Sequence, residues 1–104
     1  MELRETAACG VAHREFTLDL SSAKEIKEFL RLVEAGSSVD AELAAELQGE
    51  ATNALGAGSV SISLLDTKIA KLQEMMRVAA ASGEASPDFI DELASYMQFV
   101  VGAA

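Results

Sequence analysis

Apolar residues in the second half of this chain recur at alternating spacings of three and four residues. The first series has the spacing 3-4-3-4-3 and consists of Ile62, Leu65, Ile69, Leu72, Met76 and Ala79. A second series repeats the 3-4-3 spacing at Ile90, Leu93, Met97 and Val100. This spacing places the apolar side chains on one helix face, as in helices that pack along a seam. It predicts a mainly α-helical chain with an antiparallel helical hairpin at its C-terminal end.

Capping signals mark the first predicted helix and the start of the second. Ser22 and Glu25 form an S-x-x-E capping box, in which each side chain satisfies a backbone N–H of the first turn. Gly36 stands where a left-handed glycine commonly ends a helix. Ser37 and Ser38 then offer caps for the second helix.

Glycine and proline delimit the remaining helices. Gly49 weakens the second helix and favours a bend or an early end there. Gly83 closes the third helix, and Ser86-Pro87-Asp88 opens the fourth with a cap, a first-turn proline and an acid. The predicted helices span residues 22–35, 38–55, 60–82 and 87–101.

Two segments alternate apolar and polar residues, the pattern of a half-buried strand. In the first, within residues 13–20, the apolar positions are Phe16, Leu18 and Leu20. The second, residues 59–64, alternates serines with Val60, Ile62 and Leu64, but the seam spacing also begins there, so helix is favoured. The expected fold is therefore four helices with one or two short strands, residues 1–20 forming an N-terminal arm or strand. An α+β fold is the alternative.

The composition fits one small domain covering residues 1–104. Half of the chain is hydrophobic, but 19 of those residues are alanine, and the large apolar side chains suffice for one compact core. The single cysteine excludes a disulfide scaffold. The longest uncharged run, residues 51–65, is shorter than the ~20 residues that a membrane-spanning helix needs. The N-terminal residues do not show the basic region followed by an apolar run that is typical of a signal peptide, so a cytoplasmic location is expected.

The formal net charge of −9 is unevenly distributed along the chain. Residues 32–65 contain five acids and no base, and residues 78–104 contain four acids and no base. Such a surface repels nucleic acids and anionic membranes, and it favours a basic protein partner. Within the first of these stretches, Glu42, Glu46 and Glu50 form a stripe at helical spacing. Because repulsion along the stripe destabilises the helix by ~0.2–0.5 kcal/mol per pair, it is a candidate partner-binding surface.

Three patterns that could indicate chemistry are incomplete. Cys9 and His13 are spaced to share a helix face, but two ligands do not complete a metal site, and no oxyanion donors accompany them. The turn at residues 56–59 lacks the lysine of a phosphate-binding loop. We therefore predict no catalytic residue, no metal and no cofactor.

The sequence favours a non-catalytic protein that binds another protein or a second copy of itself. Candidate roles are an assembly subunit, an adaptor or a chaperone of the secretion or phage type. The predicted contact residues are Glu42, Glu46, Glu50, Ile69, Leu72, Met76, Phe89, Tyr96 and Phe99. The first alternative is an acidic inhibitor that occupies the basic site of a nucleic-acid-binding protein. A small enzyme using Cys9 and His13 is the second alternative.

Overall fold

The computed structural model describes residues 1–8 and 14–100, which form a sheet covered on one face by helices. Its elements follow in chain order: β1 (Glu2–Ala8), β2 (Arg14–Leu20), α1 (Ala23–Ala35), α2 (Ala41–Ala54), β3 (Val60–Leu65), α3 (Asp66–Ser82) and α4 (Pro87–Val100). The prediction of a mainly helical chain with short strands is confirmed.

The three strands form one antiparallel sheet in the order β1-β2-β3. Leu18 of the central strand lies opposite Leu3 on one side and Ile62 on the other, and all three side chains are buried. A bulge interrupts β1 between Glu5 and Ala7. From Phe16 to Leu20 the two-residue period of β2 therefore puts the apolar side chains into the core and the polar ones on the outer face.

The helices cover the apolar face of the sheet. Helix α4 contacts β1, α3 contacts β2 and β3, and α2 contacts β3. Helix α1 packs against the other three helices. The C-terminal helices α3 and α4 contact each other across residues 83–86, where Ala85 is buried.

The segment 60–65 is a strand, so the prediction that a helix begins at Val60 was wrong. Ile62 and Leu64 are buried where β3 pairs with β2, whereas Leu65 is 39% exposed. Ile62 belongs both to the helical seam and to the alternating series of the strand, so local spacing alone fits either structure there. Pairing with β2 decides in favour of the strand, and local spacing contains no information about such pairing. Helix α3 begins at Asp66, and its part of the seam begins at Ile69.

The first helix begins as predicted and the second does not. The Ser22 hydroxyl caps α1 by accepting from the Glu25 N–H, while the Glu25 carboxylate accepts from the N–H of Ser21, one residue before the cap. The N-cap of α2 is Asp40, instead of Ser37 or Ser38, because its carboxylate accepts from the Leu43 N–H at 2.9 Å. Helix α2 continues through Gly49 to Ala54, so the early end did not occur.

Two glycines end helices for different reasons. Gly83 closes α3 in the left-handed conformation, with φ of 73°, as predicted. Gly36 ends α1 at φ of −94°, so the predicted left-handed cap was wrong. A Cβ on Gly36 would lie 2.6 Å from the Met75 Cβ. Glycine is needed at position 36 because α1 ends directly against α3.

Candidate interaction surface

The acidic stripe of α2 is partly neutralised by Lys68 of α3. Lys68 Nζ donates to both carboxylate oxygens of Glu46, at 2.9 and 3.0 Å. Glu42 and Glu50 are exposed on the same helix. The sequence places Lys68 outside the base-free stretch, so only the packing of α3 beside α2 reveals this pair. The stripe is therefore less available to a basic partner than its sequence indicates.

Asp40 also binds α3, at the N-terminal end of α2. Lys71 Nζ donates to Asp40 Oδ2 at 2.6 Å. The hydrogen bond from Lys71, with that from the Leu43 N–H, lowers the pKa of Asp40, and the carboxylate in turn raises the pKa of Lys71. This aspartate thus caps one helix and joins it to another.

The predicted helical contact residues belong to the core of the chain itself. Ile69 and Leu72 are fully buried, Met76 is 5% exposed and Phe89 is 6% exposed. Because α1 and the sheet already cover the faces that carry them, these side chains offer little surface to a partner, and their role in partner binding stays a prediction. Tyr96 is half-buried against the core. The side chain of Phe99 lies outside the described residues.

Two surface depressions lie beside α4. A shallow groove of about 330 Å³ between α3 and α4 has Met76, Ile90 and Met97 in its lining, with Gln73, Arg77 and Gln98 also lining it. A cleft of about 280 Å³ between the starts of α1 and α4 has four carboxylates in its lining, those of Glu25, Glu28, Asp88 and Glu92. Among the described residues, no group of three His, Cys, Asp or Glu side chains could hold a metal ion.

A polar network crosses the outer face of the sheet. Arg4 of β1 and Ser61 of β3 both donate to the carboxylate of Asp19 on β2. The hydrogen bond from Ser61 is the main cause that lowers the pKa of Asp19; partial burial opposes it, and Arg4 adds to it. One carboxylate thus links all three strands on the face away from the helices.

The two edges of the sheet differ in charge and regularity. The β1 edge has Glu2, Arg4 and Glu5 exposed, and it is broken by the bulge. Charges and bulges of this kind prevent another strand from adding to an edge.

The β3 edge has none of these protections. It runs regularly from Val60 to Leu65 without a charged residue, a proline or a bulge. No strand within residues 1–8 and 14–100 pairs with its outer side. Its exposed side chains are those of Ser61, Ser63 and Leu65. Leu65 is a large hydrophobic residue, and its side chain is exposed in the part of the chain that the structure describes. The edge is therefore open in the sense that no described strand pairs with its outer side, although α2 also contacts β3.

Sequence reasoning did not identify this edge, although a signal for it was present. The uncharged run at residues 51–65 predicts a covered segment, and the fold covers only part of it. Ala51, Ile62 and Leu64 are buried, whereas the serines of β3 are exposed. Cys9 and His13 lie outside the described residues.

Comparison with protein-family models, curated proteins and solved structures found no match to this chain. Of the helices that the structure describes, none has both the length and the apolar character required to cross a membrane.

Proposed function

We propose that this protein is a non-catalytic protein-interaction module that binds an extended segment of its partner at the open edge of β3. The observation that carries the proposal is the difference between the two sheet edges. The β1 edge is charged and bulged, while the β3 edge is regular and uncharged and ends at the exposed Leu65. Assembly subunit, adaptor and chaperone are the roles compatible with such an edge.

Strand addition at an edge has a clear physical basis. The outer N–H and C=O groups of an edge strand have no partners within their own sheet. An added strand satisfies them with main-chain hydrogen bonds, while alternate side chains supply specificity. On β3 the neighbouring side chains are the small, neutral Ser61 and Ser63, which leave room for an approaching backbone.

The acidic-inhibitor hypothesis remains the competing proposal. The ion pairs between acids of α2 and lysines of α3 weaken it. Glu46 and Asp40 already bind lysines of α3, so part of the acidic surface is used within the chain. Glu42 and Glu50, which are exposed, are the carboxylates of this surface that still favour it. The two proposals differ in salt dependence. Binding to a basic site weakens steeply as salt rises, whereas strand addition at an uncharged edge does not.

The cytoplasmic location also stays a prediction.

Selection from a displayed library of short random peptides tests the proposal. The selection is made on the wild-type chain at high salt, and the affinity of each enriched peptide is then measured for Ser63→Lys. Because an edge lysine interferes with strand addition, we expect affinity to fall at least about tenfold. Ser95→Lys is the matched control, since it makes the same change at an exposed position of α4.

Two results would contradict the proposal. One is that no peptide is enriched over selection without protein although the chain is monomeric under the conditions of the selection. The other is that the enriched peptides bind Ser63→Lys and Ser95→Lys equally well. Peptides enriched only in a parallel selection at low salt, and sensitive to Glu42→Gln and Glu50→Gln, would instead support the acidic-inhibitor hypothesis.

A further inference from the structure

The open edge of β3 is suited to pair with a second copy of itself. We propose that two chains join β3 to β3 in antiparallel orientation about a two-fold axis, so that their sheets become one continuous sheet. This inference rests on the proposed function and names the partner of the same edge. A two-fold interface of this kind closes after two copies and leaves no open β3 edge.

The alternation of β3 limits the register of the pair. Residues directly opposite each other in an antiparallel pair have side chains on the same face of the sheet. Ile62 and Leu64 face the helices and Ser63 faces outward, so each face continues across the interface only if even-numbered residues oppose even-numbered ones. The two-fold axis then passes through a residue. The two registers nearest the middle of the strand place it at Ile62 or at Ser63.

Both registers bring compatible side chains together on the outer face. With the axis at Ile62, Ser61 lies opposite Ser63 of the second copy. With the axis at Ser63, the two Ser63 side chains oppose each other, and Ser61 lies opposite Leu65. Serine pairs are small and neutral and can hydrogen-bond across strands. Neither register opposes two like charges, although the chain as a whole has a formal net charge of −9.

A strand supplied by a second copy brings helices that cover its apolar face, whereas a strand supplied by an isolated peptide has no such cover. The helix-side residues of any strand that joins β3 need apolar cover. In a second copy that cover already exists, because Ile62 and Leu64 are 0% and 1% exposed under their own helices. The copy therefore brings a strand whose apolar face is already buried and whose outer edge alone lacks partners. Pairing satisfies both edges at once.

Charge predicts an unusual salt dependence for this dimer. Two chains of formal net charge −9 repel each other, while the paired edges themselves are uncharged. Salt screens the repulsion, because the Debye length falls from about 10 Å at 0.1 M to about 3 Å at 1 M. The dimer should therefore become tighter as salt rises, the opposite of an acidic surface bound to a basic partner.

Sedimentation equilibrium on the full chain at low and high salt, with charge variants of Ser63, tests the inference. Ser63→Lys places like charges near the axis in both registers, and so does Ser63→Glu. We expect each variant alone to dimerise at least about tenfold more weakly than wild type. An equimolar mixture of the two should recover the dimer as a heterodimer. Ser95→Lys makes the same change in net charge as Ser63→Lys and should dimerise like wild type.

The outcomes separate this inference from the proposed function. A wild-type chain that stays monomeric at about 1 M salt, where repulsion is screened, overturns the second-copy proposal. A dimer that Ser63→Lys leaves unchanged also overturns it, because pairing then occurs elsewhere. If either result comes with peptides that bind wild type and not Ser63→Lys, the edge still binds a different partner. If the peptides also fail, both proposals are wrong.

Discussion

At the scale of single residues, the two glycines at positions 36 and 49 have opposite roles. Gly36 is buried at the end of α1, where a Cβ would lie 2.6 Å from the Cβ and 2.7 Å from the backbone Cα of Met75. Gly49 lies within α2, where a Cβ would have no atom from elsewhere in the chain within 4 Å. The same substitution should therefore change stability in opposite directions.

We predict that Gly36→Ala destabilises the fold by about 1–3 kcal/mol, because the added methyl group forces α1 away from the backbone of α3. Gly49→Ala should stabilise it by about 0.5–1 kcal/mol, because alanine loses less backbone entropy in a helix. Urea unfolding of the two variants beside wild type measures both values. A Gly36→Ala chain as stable as wild type would show that the contact between α1 and Met75 is not as close as described.

Local sequence rules explain why glycine ends α3, but they do not explain why glycine is needed at the end of α1. Gly83 follows the last periodic residue of α3 and takes the left-handed conformation, as local rules require. Gly36 looks the same in the sequence, yet its requirement comes from Met75, distant in the chain. Lys68 and Lys71 likewise meet the acids of α2 only after α3 packs. Long-range contacts of this kind leave no local signal.

At the scale of elements, the strands are held together on the outer face by Asp19, and this link depends on pH. The folded-state pKa of Asp19 is lowered, first by the hydrogen bond from Ser61 and also by Arg4. A carboxyl group whose pKa is lowered on folding contributes stability above its unfolded pKa, about 3.9 for aspartate. That contribution is lost as the pH falls through the folded pKa.

We predict that Asp19→Asn is less stable than wild type at neutral pH and that the difference shrinks as the pH falls below about 4. Urea unfolding midpoints measured from neutral to acidic pH test this. Asp91→Asn makes the same change at an exposed position of α4 and controls for the loss of one negative charge. A difference for Asp19→Asn that stays constant down to the lowest pH would contradict the link between the strands.

The element that sequence reasoning assigned wrongly is β3, the element on which the proposed function depends. Helical spacing and strand alternation overlap at Ile62, because a residue can belong to both series. Pairing with β2 decides in favour of the strand, and the serines then become exposed along a sheet edge. The helices α1 and α4 were easier to predict, because their caps, proline and apolar period agree with one another.

At the scale of the whole molecule, the central claim is that the chain acts through one side of its sheet. The helices cover one face, the Asp19 network occupies the other, and the β1 edge is charged and bulged. The β3 edge is then the regular part of the sheet left without a partner among the described residues. The charge distribution also favours the β3 edge as the contact site, because residues 51–65 contain no charged residue although the chain is strongly acidic.

Amide hydrogen exchange tests this claim most directly, because it reports the state of each strand in the intact chain. The exchange of residues 60–65 is compared at low and high protein concentration, and with the selected peptide at saturation. The account predicts slower exchange at residues 60–65 in at least one of these conditions, with residues 2–8 unchanged. Exchange at residues 60–65 that is the same in every condition would contradict it.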